Sequence, residues 1–231
     1  MRAEISIARA KPDHSPFLAR TILAASRSHL PRGPFDVALE LGDMELLAII
    51  ERMTVSDDVC NCHFTKFLVA ECDGGPVGAL AAFDPAEAQL LPLDAALSDA
   101  YRSLGHDEGN LAHVMARIDA LGQCFPRAAP GTWTIEWVAV DEAHRRHRIC
   151  HQLMQAMLAD GMRSGRRTAQ VSTYLDNDAA IIAYERAGFR AVCEHRDPAC
   201  AAVLGVPGLL IMRCDLTVGQ RCRPPEVTAA G

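Results

Sequence analysis

The chain has 231 residues, of which 49% are hydrophobic and 5% aromatic, so it can bury a core in one large or two small domains and is not disordered throughout. Its net charge is −6, from 29 acidic and 23 basic residues, and no long basic run occurs. This charge argues against nucleic acid as a partner, because phosphate backbones bind positively charged surfaces.

The first half of the chain combines short strands with helices. Alternating and helical spacings of apolar residues mark its elements, and the turn signal Asp73-Gly74-Gly75-Pro76 marks a hairpin. The predicted elements are a strand at 4–9, a helix opened by Pro12 and Asp13 and broken at 31–34, a helix with Asp43 as N-cap, and hairpin strands at 67–72 and 77–83.

A helical insertion precedes the second half. Residues 84–130 contain helical patterns around 87–104 and 109–123, and they end in Pro126, Pro130 and Gly131. The long strand that follows, 132–140, is apolar on both faces towards its end and predicts a doubly covered central strand. The remaining predicted elements are a helix to about Arg163, strands at 169–175, 189–195 and 209–216, and a helix at 177–187.

The cysteines indicate a cytoplasmic protein. There are nine, an odd number, with no C-x-x-C pair, and the first residues contain no apolar segment of signal-peptide length. Cys60-Asn61-Cys62-His63 is similar to half of a metal knuckle but lacks a second ligand pair at zinc spacing, so no metal is expected. No apolar run approaches the ~20 residues of a membrane span, so no membrane is expected as a partner.

A basic turn separates the strand ending at Val140 from the following helix. Arg145, Arg146 and Arg148 crowd this turn, and the unpaired N–H groups of a helix N-terminus favour anions. The turn therefore predicts an anion site, and the alternative is an ordinary solvated loop. His144, His147 and His151 are spaced as if on one helical face, but beside a phosphate site they are better explained as rim or surface residues than as metal ligands.

Two segments carry a family resemblance. VAVDEAHRRHRICHQLM, beginning at Val138, is followed by NDAAIIAYERAGF, beginning at Asn177. Together they resemble the GNAT superfamily of acyl-CoA-dependent N-acetyltransferases, whose signatures are a Q/R-x-x-G-x-G/A turn and an N-x-x-A-x-x-x-Y-E-x-x-G-F helix. The residues that fit the second pattern are Asn177, Ala180, Tyr184, Glu185, Gly188 and Phe189.

The resemblance implies an α/β fold with a mixed, mostly antiparallel sheet that splays between its fourth and fifth strands and is flanked by helices. A single domain then covers residues 1–219, with a cofactor-binding core at about 132–195 and a helical insertion at about 84–130. Residues 220–231 are expected to be a flexible tail. Proteins of this fold often form homodimers, although the sequence leaves the oligomeric state open.

The first signature departs from the family pattern. Arg145 fits its first position, but Arg148 and Cys150 stand where glycine and a second small residue belong. Glycine there permits close backbone approach to a pyrophosphate. The departure supports an alternative function, a non-catalytic acyl-CoA-binding or sensor module with a degenerate pyrophosphate loop. The position of Cys150 at a helix start also suggests a lowered thiol pKa, but direct transfer leaves no role for a covalent cysteine.

The resemblance assigns cofactor contacts to acetyl-CoA along this segment. Backbone groups of Val138 and Val140 pair with the pantetheine arm near a bulge at 137–139, and the Val138 N–H polarises the thioester carbonyl. Asn177 fixes the arm, although an N-cap role is an alternative. The residues assigned to the pyrophosphate are Arg145, Arg146, His147, Arg148, Ile149 and Cys150.

Two side chains are the candidate catalytic groups. The resemblance places Tyr184 near the thioester sulfur as the acid that protonates the leaving thiolate, and the alternative is a core tyrosine. Glu136 precedes the expected bulge and can accept the proton that an amine must lose before attack. Apolar neighbours would raise its pKa if it is buried, and the alternative is a structural salt bridge. Tyr174 and Asp176 are weaker candidates for facing the acceptor.

The predicted activity is transfer of an acetyl group from acetyl-CoA to a primary amine of a small molecule. Residues 12–60 and 84–130 are expected to build the acceptor pocket. Residues 1–131 carry 11 basic and 18 acidic side chains, whereas residues 132–231 carry 12 and 11, so the acidic half favours a cationic acceptor. A peptide N-terminus and a longer acyl-CoA stay open as alternatives.

Overall fold

A seven-stranded sheet forms the centre of the fold. The computed structural model describes residues 5–87 and 93–217, so the expected tail at 220–231 lies outside the described residues. Neighbouring strands are antiparallel except for the parallel pair β4–β5, which confirms the predicted mixed sheet. In the sheet order β1-β2-β3-β4-β5-β7-β6, the strands are β1 Ile5–Arg9, β2 Phe67–Cys72, β3 Gly75–Phe83, β4 Trp133–Val140, β5 Thr168–Tyr174, β7 Gly208–Asp215 and β6 Arg190–Arg196.

Helices cover both faces of the sheet. The described helices are α1 Ser15–Arg27, α2 Pro34–Leu39, α3 Asp43–Thr54, α4 Leu93–Ser103, α5 Glu108–Gly122, α6 Ile149–Arg163, α7 Asp178–Arg186 and α8 Pro198–Leu204. The predicted insertion contributes α4, which packs against α3, and α5, which packs against α2. The sequence pattern missed α2 and α8 because each is too short to show a helical period. The N-cap of α3 is Gly42 rather than Asp43, which is the first helical residue.

Side chains of the inner strands pack alternately into two separate cores. Val69 and Ala79 pack into the core beneath α1–α5, whereas their neighbours Leu68 and Leu80 pack into the core beneath α6 and α7. This alternation is the period of two expected of strands covered on both faces. Close packing on the second face depends on Gly161 in α6, where a Cβ atom would stand 2.6 Å from the Trp133 ring.

A bulge in β4 interrupts that alternation and opens the sheet. Trp137 has a φ of +54°, and the β3–β4 register shifts opposite it. β4 pairs with β5 only from Trp133 to Ile135, so the two strands separate beyond that point as predicted. The expectation that β4 is doubly covered towards its end was wrong, since residues 136–140 are only partly buried where they border the gap.

An ion-pair cluster ties the first three helices together. Arg27, at the end of α1, places its Nη2 atom 2.6 Å from Asp36 Oδ1 in α2 and 2.5 Å from Asp43 Oδ1 in α3. Asp36 is buried and also accepts a hydrogen bond of 2.8 Å from the Gly33 N–H. This arrangement fixes α1 and α2 beside the gap in the sheet.

Candidate active site

A cleft of about 2260 Å³ enters the gap between β4 and β5. One wall, here called the loop side, consists of the loop 141–148 with the start of α6 and one face of α7. The opposite wall, here called the helical side, consists of residues from α1, α2, α4 and α5 and of Asn61. The cleft therefore has a wall made mainly of one chain segment and a wall assembled from several helices.

The loop side presents backbone amides and positive charge. Arg146 and Arg148 have φ values of +69° and +62°, and Arg148 is the N-cap of α6. Left-handed residues in a tight turn point successive N–H groups into one concavity, and the first turn of α6 adds further amides without helical partners. Arg145 is exposed beside them and donates to the Val140 carbonyl at 3.4 Å. This turn can hold a phosphate group.

The two departures from the signature behave differently. Arg148 adopts the left-handed backbone that glycine favours, and its exposed side chain does not fill the turn. Cys150 is partly buried, and burial raises the pKa of its thiol to about 11. The expectation of a lowered Cys150 pKa was wrong, because burial disfavours the charged thiolate.

Most of the predicted cofactor residues border the cleft. Val138 and Val140 do so from β4 and pack towards α6, and Ile149 does so from the helix start. His147 is exposed in the same loop but does not line the cleft. Asn177 lines it while serving as the N-cap of α7, accepting from the Ala180 N–H at 3.1 Å and donating to Ser28 Oγ at 2.6 Å. Its N-cap alternative is thus present in the structure.

Tyr184 is buried on α7 and lines the cleft. Its ring lies 6.3 Å from the Phe189 ring, centroid to centroid. Burial raises the pKa of its phenol well above the ordinary value, and the Cys150 thiol adds to the rise. Tyr184 therefore carries its proton at neutral pH and can donate it.

Glu136 is partly buried on β4 and also lines the cleft. Asn61 Nδ2 donates a hydrogen bond of 2.7 Å to its Oε2 atom. Burial raises the pKa of Glu136 to about 7, and the hydrogen bond from Asn61 works against that rise. No salt bridge to Glu136 is found within the described residues, so its carboxylate can exchange a proton near neutral pH.

The bulge places an aromatic wall next to this carboxylate. Strand alternation would send Trp137 to the α6 face, but the positive φ turns it into the core beneath α1–α5. Its ring there lies 5.9 Å from the Phe35 ring, centroid to centroid. Phe35 and Asn61 were missed as site residues. The only signal for Asn61 in the sequence is its place in the cluster Cys60-Asn61-Cys62-His63, which is similar to half of a metal knuckle.

The weaker candidates Tyr174 and Asp176 lie in different places relative to the cleft. Tyr174 lines the cleft and its hydroxyl donates to the Ser26 carbonyl at 3.3 Å, whereas Asp176 does not line the cleft and lies 3.3 Å from His29 Nε2.

Most of the negative charge of residues 1–131 lies outside the cleft. The described arginines and carboxylates that residues 12–60 and 84–130 contribute to the cleft are balanced and exposed, namely Arg20, Asp94, Asp119 and Arg127.

A splayed mixed sheet whose gap is bordered by a turn that presents backbone amides is typical of transferases that hold a phosphate-bearing acyl carrier between two strands. Residues 45–189, more than half of the chain, match the acetyltransferase (GNAT) family. The chain belongs to this family, whose members transfer acetyl groups from acetyl-CoA. No curated protein matches the chain.

Solved structures share the fold. One described as an acetyltransferase is 18% identical with a TM-score of 0.66, covering 91% of this chain and 98% of its own. An N-acetyltransferase from Staphylococcus aureus Mu50 is 16% identical with a TM-score of 0.64, covering 90% and 98%. The structure of yncA from Salmonella typhimurium, with its cofactor acetyl-CoA, is 14% identical with a TM-score of 0.53, covering 95% and 99%. At these identities the similarity establishes the fold.

Proposed function

We propose that this protein transfers the acetyl group of acetyl-CoA directly to a primary amine of a small molecule that is a cation in solution. The observation that carries the proposal is the position of Glu136, a partly buried carboxylate that lines the cleft where β4 leaves β5. Burial there raises its pKa to about 7. A primary amine has a pKa near ~10.4 and is protonated at neutral pH, so it needs such a base.

The loop side fits the phosphates of acetyl-CoA. The left-handed backbone at Arg146 and Arg148 and the N-terminus of α6 supply the amides for the pyrophosphate, and Arg145 adds charge. Val138 and Val140 border the path of the pantetheine arm. His147, which lies away from the cleft, contributes through its backbone at most.

The chemistry balances with two protein groups. The amine nitrogen bonds to the acetyl carbon while the carbon–sulfur bond breaks, and acetyl-CoA supplies the activated acyl group. Glu136 takes the proton that the ammonium group loses before attack and later releases it to solvent. Tyr184 gives a proton to the departing thiolate, and the second proton, lost by the nitrogen on acylation, restores the Tyr184 hydroxyl. The Val138 N–H donates to the acyl oxygen as negative charge develops there.

Thiol release with acetyl-CoA and a panel of primary amines tests the proposal, and calorimetry measures cofactor binding separately. We expect binding and amine-dependent release of coenzyme A. Binding without release from any amine, peptide N-termini included, would favour the acyl-CoA-binding or sensor module instead. Lack of binding at millimolar acetyl-CoA would contradict both functions.

The described helices include none long and apolar enough to cross a membrane. A cytoplasmic location, a single domain over residues 1–219, homodimer formation and the lack of a nucleic-acid partner rest on the sequence and on the family resemblance.

A further inference from the structure

The segment Cys60–His63 forms a tight turn that is anchored in the core. The His63 N–H donates to the Cys60 carbonyl at 3.1 Å, and His63 Nδ1 lies 2.7 Å from Thr65 Oγ1. The side chains of Cys60 and Cys62 are fully buried. Asn61, between them, is the residue of this turn that lines the cleft.

The side chain of Asn61 is used on one end only. Its Nδ2 atom donates to Glu136 Oε2 at 2.7 Å, while its Oδ1 atom is buried and has no hydrogen-bond partner among the described residues. An unpartnered buried carbonyl destabilises a fold, and an apolar side chain of similar size would avoid that loss. Packing alone therefore does not account for an amide here, whereas its contact with Glu136 does.

The hydrogen bond distinguishes the two oxygens of the carboxylate. A donor at Oε2 fixes the plane of the carboxyl group and stabilises its ionised form, so Oε1 is the oxygen left to accept a proton. No charged group contributes to the pKa of Glu136, whose causes are burial and Asn61. Ala81, opposite Glu136 on β3, is not titratable, and burial holds the pKa of the neighbouring Cys62 thiol well above its ordinary value.

We propose that Asn61 is a positioning residue for proton transfer: anchored by its two buried cysteine neighbours, it holds Glu136 by Oε2 so that Oε1 faces the acceptor amine. This inference rests on the proposed function, in which Glu136 takes the proton of the amine. It gives the Cys60–His63 cluster a role that requires no metal.

Two variants distinguish the role of Asn61 as a hydrogen-bond donor from the volume that its side chain fills. Asn61→Leu removes the donor at similar volume, and Asn61→Asp keeps the shape but replaces the donor by a second carboxyl. We expect the acid limb of the kcat/KM–pH profile to move upward by about one unit in Asn61→Leu, with a loss of roughly 5-fold at pH 7, and further in Asn61→Asp. The acetyl-CoA dissociation constant should stay unchanged in both variants.

Asn110→Ala is the matched control. Asn110 is also partly buried and donates from Nδ2, to the Tyr101 hydroxyl at 3.3 Å, but it does not line the cleft. Its pH profile should match that of the unmodified protein. An acid limb that stays in place in both Asn61 variants would overturn the inference, whereas full activity of Glu136→Gln would contradict the proposed function instead.

A measurement on the unmodified protein tests the inference even if the Asn61 variants fail to fold. The side-chain ¹⁵N resonance of Asn61 should titrate with the midpoint of the acid limb, because its N–H bonds to the group that ionises. This titration should disappear in Glu136→Gln. An Asn61 resonance that does not move through that pH range would overturn the inference without any Asn61 variant.

Discussion

The loop side of the cleft is one continuous segment, residues 141–150, completed by a face of α7, whereas the helical side joins Phe35 and Asn61 to Glu136 from distant parts of the chain. The loop side presents backbone amides, whose placement depends on dihedral angles. The helical side presents side chains, whose placement depends on how α1, α2 and the turn at Cys60–His63 pack. Side-chain substitutions should therefore be tolerated in the loop at residues 141–150, whereas they should be costly at Phe35, Asn61 and Glu136.

The largest effect is expected from Glu136→Gln. Losing the base should lower kcat/KM by roughly 10³-fold while the acetyl-CoA dissociation constant stays the same, because the amide cannot accept the amine proton. Steady-state thiol release and calorimetry measure the two quantities. Glu185→Gln, which neutralises an exposed carboxylate outside the cleft, is the matched control. Retention of more than a tenth of the activity would exclude Glu136 as the base.

Tyr184→Phe should have the next largest effect, a fall in kcat of about 10²-fold with unchanged cofactor binding, since only the hydroxyl that protonates the thiolate is lost. Thiol release at saturating substrates measures it. Tyr101→Phe changes a buried tyrosine away from the cleft and should leave kcat unaltered. Equal turnover in Tyr184→Phe and the unmodified protein would assign Tyr184 to the core alone.

Glu136 should also make stability depend on pH. Its pKa is raised from 4.5 to about 7 on folding, so the folded state binds the proton more tightly. The stability this gives is fully present below pH 4.5 and is lost as the pH rises through 7. Relative to Glu136→Gln, the unmodified protein should therefore lose roughly 1–3 kcal/mol between pH 4.5 and pH 8, a range that allows for the partly exposed carboxylate.

Denaturant unfolding of both proteins across this pH range measures that difference. A gap that stays constant with pH would show that the carboxylate is not desolvated in the folded protein. Glu185→Gln again serves as control, since an exposed carboxylate should produce no such trend.

The smallest effect is expected on the loop side, from Arg148. Arg148→Gly relieves a left-handed backbone at +62°, whereas Arg148→Ala removes the same side chain and keeps the strain. The Gly variant should be more stable than the Ala variant by about 1 kcal/mol, and both should bind acetyl-CoA equally, with a few-fold weaker affinity than the unmodified protein. Thermal unfolding and calorimetry compare them. Weaker binding by the Gly variant alone would mean that the turn needs a side chain to hold its shape.

The contrast between the two walls also explains which features the sequence could predict. β2 was predicted with its observed bounds, and the turn before α6 was located because strand, turn and helix follow one another in the chain. The hydrogen bond from Asn61 to Glu136 spans 75 residues, and no local pattern encodes it. The orientation of Trp137 was missed as well, because the resemblance implies a bulge at 137–139 without specifying which side chain it reverses, and alternation alone predicts the opposite face.

Because of the bulge at Trp137, the number of residues in β4 determines which groups face the substrates. Glu136 and Trp137 share a core-facing side only because the strand carries one residue more than its partner opposite Leu80. Deleting a residue between Glu136 and Val140 would restore regular alternation, remove the aromatic wall from the carboxylate and re-aim the Val138 amide. Diversification of the acceptor site can thus proceed by substitution on α4 and α5, whereas insertions and deletions in the second half of β4 alter both substrate positions at once.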